Sequence, residues 1–358
     1  MKILADSSLP GLRDAFPLPF EITLYHHNDE VVERLNDHEI LLCRSTLTVD
    51  EKLLKSHSLR YVATASSGTD HIDATFLSTQ NIKLLDAKGS NANAVADYVV
   101  SIVAFLQKYT TFNGDKAGII GLGHVGTAVA ARLRAMNFDL ITYDPPRGAQ
   151  ENDFKNCSLE EIMACDLICI HANLHDNQPW PSRDLITEKE LALIKPNAAI
   201  INAARGGIVS EEALLKASTS FFYSTDVYCN EPAINEAVVG RASLCTPHIA
   251  GHSLEAKANA VAMLSEKLHR CYQLPLPHYP SLLVKEEPLF KADATWEDYI
   301  LSLYNPLHET IALKEATNIK EIFLQLRKAH QNRHDFCVYD KFIVDETLRP
   351  LLGLAAQK

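Results

Sequence analysis

The sequence predicts an α/β protein in which two doubly wound parallel sheets are followed by a smaller C-terminal unit. Short apolar runs alternate with amphipathic helical stretches along most of the chain, a pattern typical of parallel sheets joined by helices. The 358 residues exceed the roughly 100–200 residues of one ordinary core. Proline residues around position 280 then set the last part of the chain apart.

The first predicted sheet has five strands, and the second has six. The first five strands are Lys2–Ala5, Glu21–Tyr25, Glu39–Cys43, Arg60–Ala63 and Lys83–Leu85. The second six strands are Ala117–Gly121, Leu140–Tyr143, Asp166–Ile170, Ala198–Asn202, Phe222–Asp226 and Ser243–Thr246. A helix over Asn93–Gln107 connects the two series, because no strong turn signal interrupts it.

Two further helices are predicted by apolar residues that recur at helical spacing, over Val125–Met136 and Leu254–Tyr272. The second of these leads into Pro275, Pro277 and Pro280. Because proline cannot continue a helix, this stretch predicts a domain junction. The tail from about residue 281 is therefore a third unit. It contains a helix around Phe323–Arg333, which we expect to place Phe323 and Arg327 on different sides.

Composition narrows the functional class. The net charge of −11 argues against a nucleic-acid partner, because binding to a phosphate backbone requires a basic surface. No apolar run approaches the roughly 18 residues of a membrane span, so no membrane association is expected. The eight cysteines have no paired spacing, which favours reduced thiols in a cytoplasmic protein. No metal site is predicted.

A glycine pattern lies between a predicted strand and a predicted helix, in the run AGIIGLGHVG over residues 117–126. Gly121 allows a tight turn, Gly123 lets the backbone approach a pyrophosphate, and Gly126 lets the helix pack closely. The first helical residues, His124 and Val125, would offer backbone N–H groups to the anion. The pattern therefore predicts a dinucleotide site.

The acidic residue expected after this pattern is Asp144, at the end of the next strand. A carboxylate there accepts the ribose hydroxyls and repels a 2′-phosphate, so NAD is favoured over NADP. Arg147 lies three residues further on. An arginine nearby is how NADP is usually accommodated, so Arg147 could weaken this preference.

Three side chains at predicted strand ends suit the oxidation of a 2-hydroxy acid. Arg205 can bind the carboxylate, His248 can accept the hydroxyl proton, and Glu231 can orient the imidazole. In doubly wound sheets, ligands collect at the carboxyl ends of strands. Each residue also has an ordinary structural explanation. His248 and His252 could form a metal pair, but Gly251 disfavours a shared helical face.

These motifs together resemble the D-2-hydroxyacid dehydrogenase family, in GLGHVG with TYD, INAARGGIVSEEAL, TDVYCNEP and TPHIAG. The resemblance covers residues 1–280. It implies a discontinuous flavodoxin-like substrate domain (1–92 with 252–280) and a Rossmann NAD domain (93–251). By the same resemblance, Arg205, Glu231 and His248 are catalytic. The cofactor contacts that it implies are Asp144, Asp226 and Gly251.

The sequence resembles most closely a branch of this family that oxidises a phosphorylated 2-hydroxy acid on the route to pyridoxal phosphate. The matching segments are KILAD, CRSTLTV, ATASSGTDHID, YDPPR, AGHSLEAK and FLQLRKAHQNRHDF. This branch adds a small α+β dimerisation domain, here 281–358, which implies a homodimer. It also implies substrate contacts at Ser45 and Ser66. Two positions depart from its pattern: His252 replaces a tyrosine at the substrate, and Ala172 replaces a threonine at the cofactor.

Arg44 is the residue that we expect to bind the substrate's phosphate. It directly follows a predicted strand and precedes Ser45, and arginine can hold phosphate through two parallel hydrogen bonds. Two alternatives for the whole protein remain. One is another dehydrogenase of the family, acting on glycerate or 3-phosphoglycerate. The other is a binding protein that senses NADH, like the corepressors that share this fold.

Overall fold

The computed structural model describes residues 1–278, 294–343 and 345–355. The chain divides into two compact units. The first contains Met1–Asn91 and the segment from Ser253, and the second contains Ala92–His252 and the C-terminal residues. The predicted boundary at residue 281 lies outside the described residues. The described C-terminal helices pack within the second unit.

The first unit contains a five-stranded parallel sheet with the strand order β2-β1-β3-β4-β5, which is the flavodoxin order. Its strands are β1 (Lys2–Asp6), β2 (Glu21–Tyr25), β3 (Ile40–Cys43), β4 (Tyr61–Thr64) and β5 (Lys83–Asp86). Its helices are α1 (Leu12–Ala15), α2 (Glu30–Arg34), α3 (Ala74–Thr79) and α11 (Leu254–Cys271), with a 3-10 turn at Leu35–Asp37. The three inner strands, β1, β3 and β4, are buried on both faces, because helices cover both sides of a parallel sheet.

The second unit contains a six-stranded parallel sheet with the order β11-β10-β9-β8-β6-β7. Its strands are β6 (Lys116–Ile120), β7 (Asp139–Tyr143), β8 (Leu167–Ile170), β9 (Ala199–Asn202), β10 (Phe222–Thr225) and β11 (Leu244–Cys245). Beyond β7, the Cys157 N–H donates to the Thr142 carbonyl at 2.8 Å. In the usual dinucleotide-binding order, a further strand pairs with this edge of the sheet. Here the described chain forms this backbone hydrogen bond at that edge and no strand.

The helices of the second unit surround this sheet. They are α4 (Ala92–Tyr109), α5 (His124–Ala135), α6 (Pro145–Gln150), α7 (Leu159–Met163), α8 (Glu188–Leu191), α9 (Glu211–Lys216), α10 (Glu236–Arg241), α12 (Trp296–Leu303), α13 (Leu307–Lys314) and α14 (Ile319–Ala329). Three 3-10 turns follow, at Phe336–Phe342, Glu346–Leu348 and Pro350–Leu352. All eleven predicted strands are present, and no strand end differs from the prediction by more than one residue.

The C-terminal segment differs from the sequence prediction in two respects. Its described elements are all helical, so the strands of the predicted α+β tail are absent from the part that the structure describes. In α14, Phe323 and Arg327 are four residues apart and share one face, contrary to the prediction, because a helix turns once every 3.6 residues. The helix also ends at Ala329, before Arg333.

Candidate active site

Gly121–Gly126, the glycine turn, connects β6 to α5. Gly121 has φ +85°, and a Cβ there would lie 2.6 Å from the Ala172 nitrogen. A Cβ on Gly126 would lie 2.0 Å from the Gly121 carbonyl oxygen, whereas one on Gly123 would have nothing within 4 Å. The turn and the close packing therefore require glycine at two positions, and the third leaves an open backbone surface.

The open surface at Gly123 faces the start of α5, whose first residues are His124 and Val125. Gly123 has no side chain with which to cap the helix. The first N–H groups of a helix have no partner within the helix, and their partial positive charge attracts anions. Since a pyrophosphate needs both a close backbone and such donors, these residues fit the cofactor predicted from the sequence.

Asp144 directly follows β7 and is hydrogen-bonded to the glycine turn. Its Oδ2 accepts the Leu122 N–H at 2.8 Å, and its Oδ1 accepts the Arg147 N–H at 3.1 Å. The Arg147 side chain donates to the Leu122 carbonyl at 3.0 Å and to Glu151 at 2.9 Å. Arg147 thus lies beside the turn, and its charge is partly offset by Glu151.

His248 and Glu231 meet as predicted, with the His248 Nδ1 2.6 Å from the Glu231 Oε2. The other carboxylate oxygen accepts the Tyr228 N–H at 2.9 Å. Burial raises the pKa of Glu231, but the bond and charge of His248, the Tyr228 N–H and Arg327 together hold that pKa below its usual value. Glu231 is therefore an ionised partner that keeps a proton on the His248 Nδ1, which leaves Nε2 for a substrate.

His248 lies in the histidine loop, which we define as Thr246–Gly251, directly after β11. Its φ of 57° is in the left-handed region, which is unfavourable for residues with a Cβ. Asp226, which directly follows β10, holds this loop through hydrogen bonds. Its two carboxylate oxygens accept the hydroxyl of Thr246 (2.6 Å) and the N–H groups of Ile249 and Ala250, each at 2.8 Å.

Asp226 is 1% exposed, and burial raises its pKa although His248 opposes the shift. The sequence identified this residue only as a cofactor contact. That contact remains a prediction, and the structure gives Asp226 a second task, because it fixes the backbone on both sides of His248. No sequence pattern around Asp226, three residues before Cys229, indicated this second role.

Arg205 follows β9 in a loop that lies against the loop containing Glu231. A Cβ on Gly206 would be 2.0 Å from the Tyr228 carbonyl carbon, so only glycine allows this approach. The Arg205 Nη1 donates to the Ala204 carbonyl at 2.8 Å, and its own carbonyl accepts the Asn202 amide at 3.1 Å. The strand ends thus bring the loops of Arg205, Glu231 and His248 to one edge of the sheet.

The glycine turn belongs to the same edge. Gly121 follows β6, Ala172 follows β8, and their backbones are in contact. Between these two strands the chain changes direction across the sheet, which is where doubly wound folds bind ligands. Gly251 and His252 close the histidine loop, and the His252 N–H donates to the Ile249 carbonyl at 2.9 Å.

His171, beside Ala172, is partly buried, and its two ring nitrogens, which are inaccessible to solvent, have no hydrogen-bond partner among the described residues. Burial lowers its pKa to about 3, so it is neutral at physiological pH. The described residues contain no group of three or more His, Cys, Asp or Glu side chains placed to hold a metal ion. None of the described helices is both long and apolar enough to cross a membrane.

The predicted substrate residues of the first unit lie at the carboxyl ends of β3 and β4. The Ser66 hydroxyl accepts the Ser45 N–H at 3.0 Å. The Arg44 Nε donates to the Asp6 Oδ2 at 2.8 Å. This hydrogen bond fixes the orientation of the guanidinium. Lys257, on α11, was missed from the sequence. Burial lowers the pKa of Lys257, and the nearby charge of Arg44 lowers it further.

Comparisons with known proteins agree with this arrangement. Residues 102–250 match the family described as D-isomer specific 2-hydroxyacid dehydrogenase, NAD binding domain. Among solved structures, the chain is similar to an NAD⁺-bound 3-phosphoglycerate dehydrogenase of Entamoeba histolytica (TM-score 0.66, 22% identity), covering 76% of this chain and 95% of that one. It is also similar to an NAD-dependent formate dehydrogenase of Staphylococcus aureus (TM-score 0.62, 23% identity, 80% and 100% covered).

Curated relatives match the whole length of the chain. An erythronate-4-phosphate dehydrogenase of Legionella pneumophila (strain Lens) is 53% identical over 355 residues, which is 99% of this chain and 100% of the relative. One of Coxiella burnetii (strain RSA 331 / Henzerling II) is 33% identical over 346 residues, with 94% and 93% covered. The chain therefore belongs to the erythronate-4-phosphate dehydrogenase family, within the D-isomer specific 2-hydroxyacid dehydrogenases.

Proposed function

We propose that this chain oxidises erythronate 4-phosphate at its 2-hydroxyl group, with NAD as cofactor, to give 2-oxo-3-hydroxy-4-phosphobutanoate for pyridoxal phosphate synthesis. The observation that carries the proposal is the His248–Glu231 pair, 2.6 Å apart, at the same sheet edge as the glycine turn. The relatives from Legionella pneumophila and Coxiella burnetii, which match most of the chain, are named erythronate-4-phosphate dehydrogenase.

The His248 Nε2 accepts the proton of the 2-hydroxyl group, because Nδ1 is held by Glu231. The imidazolium that forms is stabilised by the Glu231 carboxylate. Arg205 binds the substrate carboxylate. The glycine turn and Asp144 would hold NAD, which when bound would provide the hydride acceptor for oxidation at C2. Gly251, Ala172 and Asp226 line the cofactor, and His252 faces the substrate.

The phosphate is proposed to bind at Arg44, Ser45 and Ser66. Asp6 engages only the Nε of Arg44, which leaves both terminal nitrogens of the guanidinium to form parallel bonds to a phosphate. Lys257 shares this region, as the effect of Arg44 on its pKa indicates. Two neighbouring cations are stabilised by an anion between them, and a dianion buried without such partners would be strongly unfavourable.

A panel of 2-hydroxy acids with NAD tests the proposal. We expect the highest kcat/KM for erythronate 4-phosphate, ahead of erythronate, glycerate and 3-phosphoglycerate. Arg44→Ala is expected to raise KM for erythronate 4-phosphate much more than for erythronate. Arg60→Ala, at the amino end of β4 and exposed, is the control. Preference for another acid would identify a different dehydrogenase, and NAD binding without turnover would indicate a sensing protein.

We further propose that the protein is a cytoplasmic homodimer that associates through its C-terminal segment. Ile311 on α13 and Leu324 on α14 are 45% and 48% exposed, and apolar exposure of this kind favours a protein partner. None of the eight cysteines forms a disulfide in the structure, as expected in a reducing compartment. Sedimentation of the full chain tests the dimer. Leu324→Asp is expected to shift the sedimentation coefficient toward that of a monomer. A wild-type protein that sediments as a monomer would contradict the proposal.

A further inference from the structure

The histidine loop holds His248 in a left-handed backbone conformation, φ 57°. A residue with a Cβ keeps such a conformation only where the surrounding structure fixes it. Asp226 provides this restraint from inside the sheet, through the bonds to Thr246, Ile249 and Ala250. These bonds occupy the Thr246 hydroxyl and two backbone N–H groups, so the carbonyl groups of the loop need other partners.

Arg333, from the C-terminal segment, supplies one such partner. Its side chain is buried, with 8% of the residue exposed. Its Nη2 donates to the Ala250 carbonyl, within the histidine loop, and to the Ala94 carbonyl on α4 at 3.2 Å. One guanidinium nitrogen thus connects the loop to the longest helix that covers the sheet.

The same guanidinium reaches the other end of the loop through two tyrosines. It lies over the Tyr304 ring, 4.9 Å from the centroid, and the Tyr304 ring packs against Tyr98 with centroids 6.2 Å apart. The Tyr98 hydroxyl is 2.8 Å from the Thr246 Oγ1, which donates to Asp226. Arg333 therefore supports the loop at Ala250 directly and at Thr246 indirectly.

The strand that leads into the loop is also held by the C-terminal segment. β11 is an edge strand of two residues, and edge strands leave backbone groups unpaired. The Thr310 hydroxyl of α13 lies 2.9 Å from the Cys245 nitrogen and 3.0 Å from the Cys245 carbonyl oxygen. The C-terminal segment thereby provides a hydrogen-bond partner for both backbone groups of Cys245, the residue before Thr246.

We propose that Arg333 is a positioning residue for the reaction, which holds the histidine loop so that His248 keeps its bond to Glu231. The inference rests on the proposed function of that pair. It goes beyond the family match, since Arg333 lies outside residues 102–250. The C-terminal segment is then part of the active-site framework as well as the proposed dimer contact. Lysine cannot replace arginine here, because one ammonium lacks the flat face that covers Tyr304.

Steady-state kinetics of full-length Arg333→Ala test this inference, with Arg349→Ala as the matched control. Arg349 is equally buried in the same segment and pairs with Asp340 and Glu346, with no described bond to the histidine loop. We expect kcat to fall about tenfold or more in Arg333→Ala, because small displacements of a catalytic group are costly. KM for NAD should stay within about twofold, because Arg333 does not touch the glycine turn.

Rescue separates positioning from general stability. Guanidinium at concentrations too low to unfold the protein should restore part of kcat in Arg333→Ala and none in Arg349→Ala. Equal losses of kcat and Tm in both variants, without rescue, would overturn the inference. If Arg333→Ala does not fold, Arg333→Lys is measured instead, and wild-type kcat there would also overturn it. Absence of wild-type turnover would contradict the proposed function alone.

Discussion

The glycine turn and the histidine loop follow strands of the same sheet but are held in different ways. The glycine turn is held by its own backbone, by Asp144, 22 residues after Leu122, and by the backbone of Ala172, which contacts Gly121. The histidine loop depends on Tyr98, 148 residues before Thr246, and on Arg333, 83 residues after Ala250. The glycine turn therefore depends on contacts between residues closer in sequence than those of the histidine loop, which is held by distant parts of the chain.

The largest expected effect falls on the histidine loop. His248→Asn should lower kcat about a hundredfold or more, the usual range for losing a general base. The dissociation constant of NAD should change little, because the glycine turn is independent of this side chain. Stopped-flow turnover and fluorescence titration with NAD would measure the two quantities. A parallel loss of NAD affinity would show that the two regions are coupled.

Glu231→Gln provides a graded version of the same test. Without the carboxylate, the imidazolium loses its ionic partner, so the acid limb of the pH–rate profile should move to lower pH. The profile of kcat/KM against pH measures this shift. A profile superimposable on that of the wild type would exclude Glu231 from the mechanism.

In the glycine turn, two alanine substitutions should separate folding from binding. Gly126→Ala places a Cβ 2.0 Å from the Gly121 oxygen, and overpacking of this kind costs about 1–3 kcal/mol in the free energy of unfolding. Gly123→Ala meets no atom within 4 Å, so its stability should be close to that of the wild type while NAD binds more weakly. Urea unfolding and NAD titration measure both. Equal stability of the two variants would contradict the packing argument.

Asp144→Ala should reduce the preference for NAD over NADP, because the ribose hydroxyls lose their acceptor. The ratio of kcat/KM for the two cofactors is the measurement. The Leu122 N–H would also lose its partner, so a modest loss of stability should accompany the change. A wild-type enzyme that works better with NADP would instead make Arg147 the determinant.

The smallest expected effect concerns His171, which packs against Gly121 in the glycine turn. Its pKa is about 3 in the folded protein, against an ordinary 6.5. The neutral form is favoured by folding, so the stability that it contributes is present above about pH 6.5 and is lost as pH falls toward 3. His171→Gln should remove this dependence of the free energy of unfolding on pH. Unfolding titrations at several pH values would show it, and identical pH slopes would contradict it.

The sequence alone predicted the two sheets and the glycine turn, which the structure confirms, and it identified Asp144 and the trio of Arg205, Glu231 and His248, whose roles stay predictions. These features depend on short-range patterns, because apolar periodicity and glycine spacing act through neighbouring backbone. The contributions of Asp226 and Arg333 to the histidine loop were decided only by the tertiary structure. A buried carboxylate or guanidinium acquires its partners when distant strands and helices pack, and no local pattern specifies which carbonyl a distant arginine will reach.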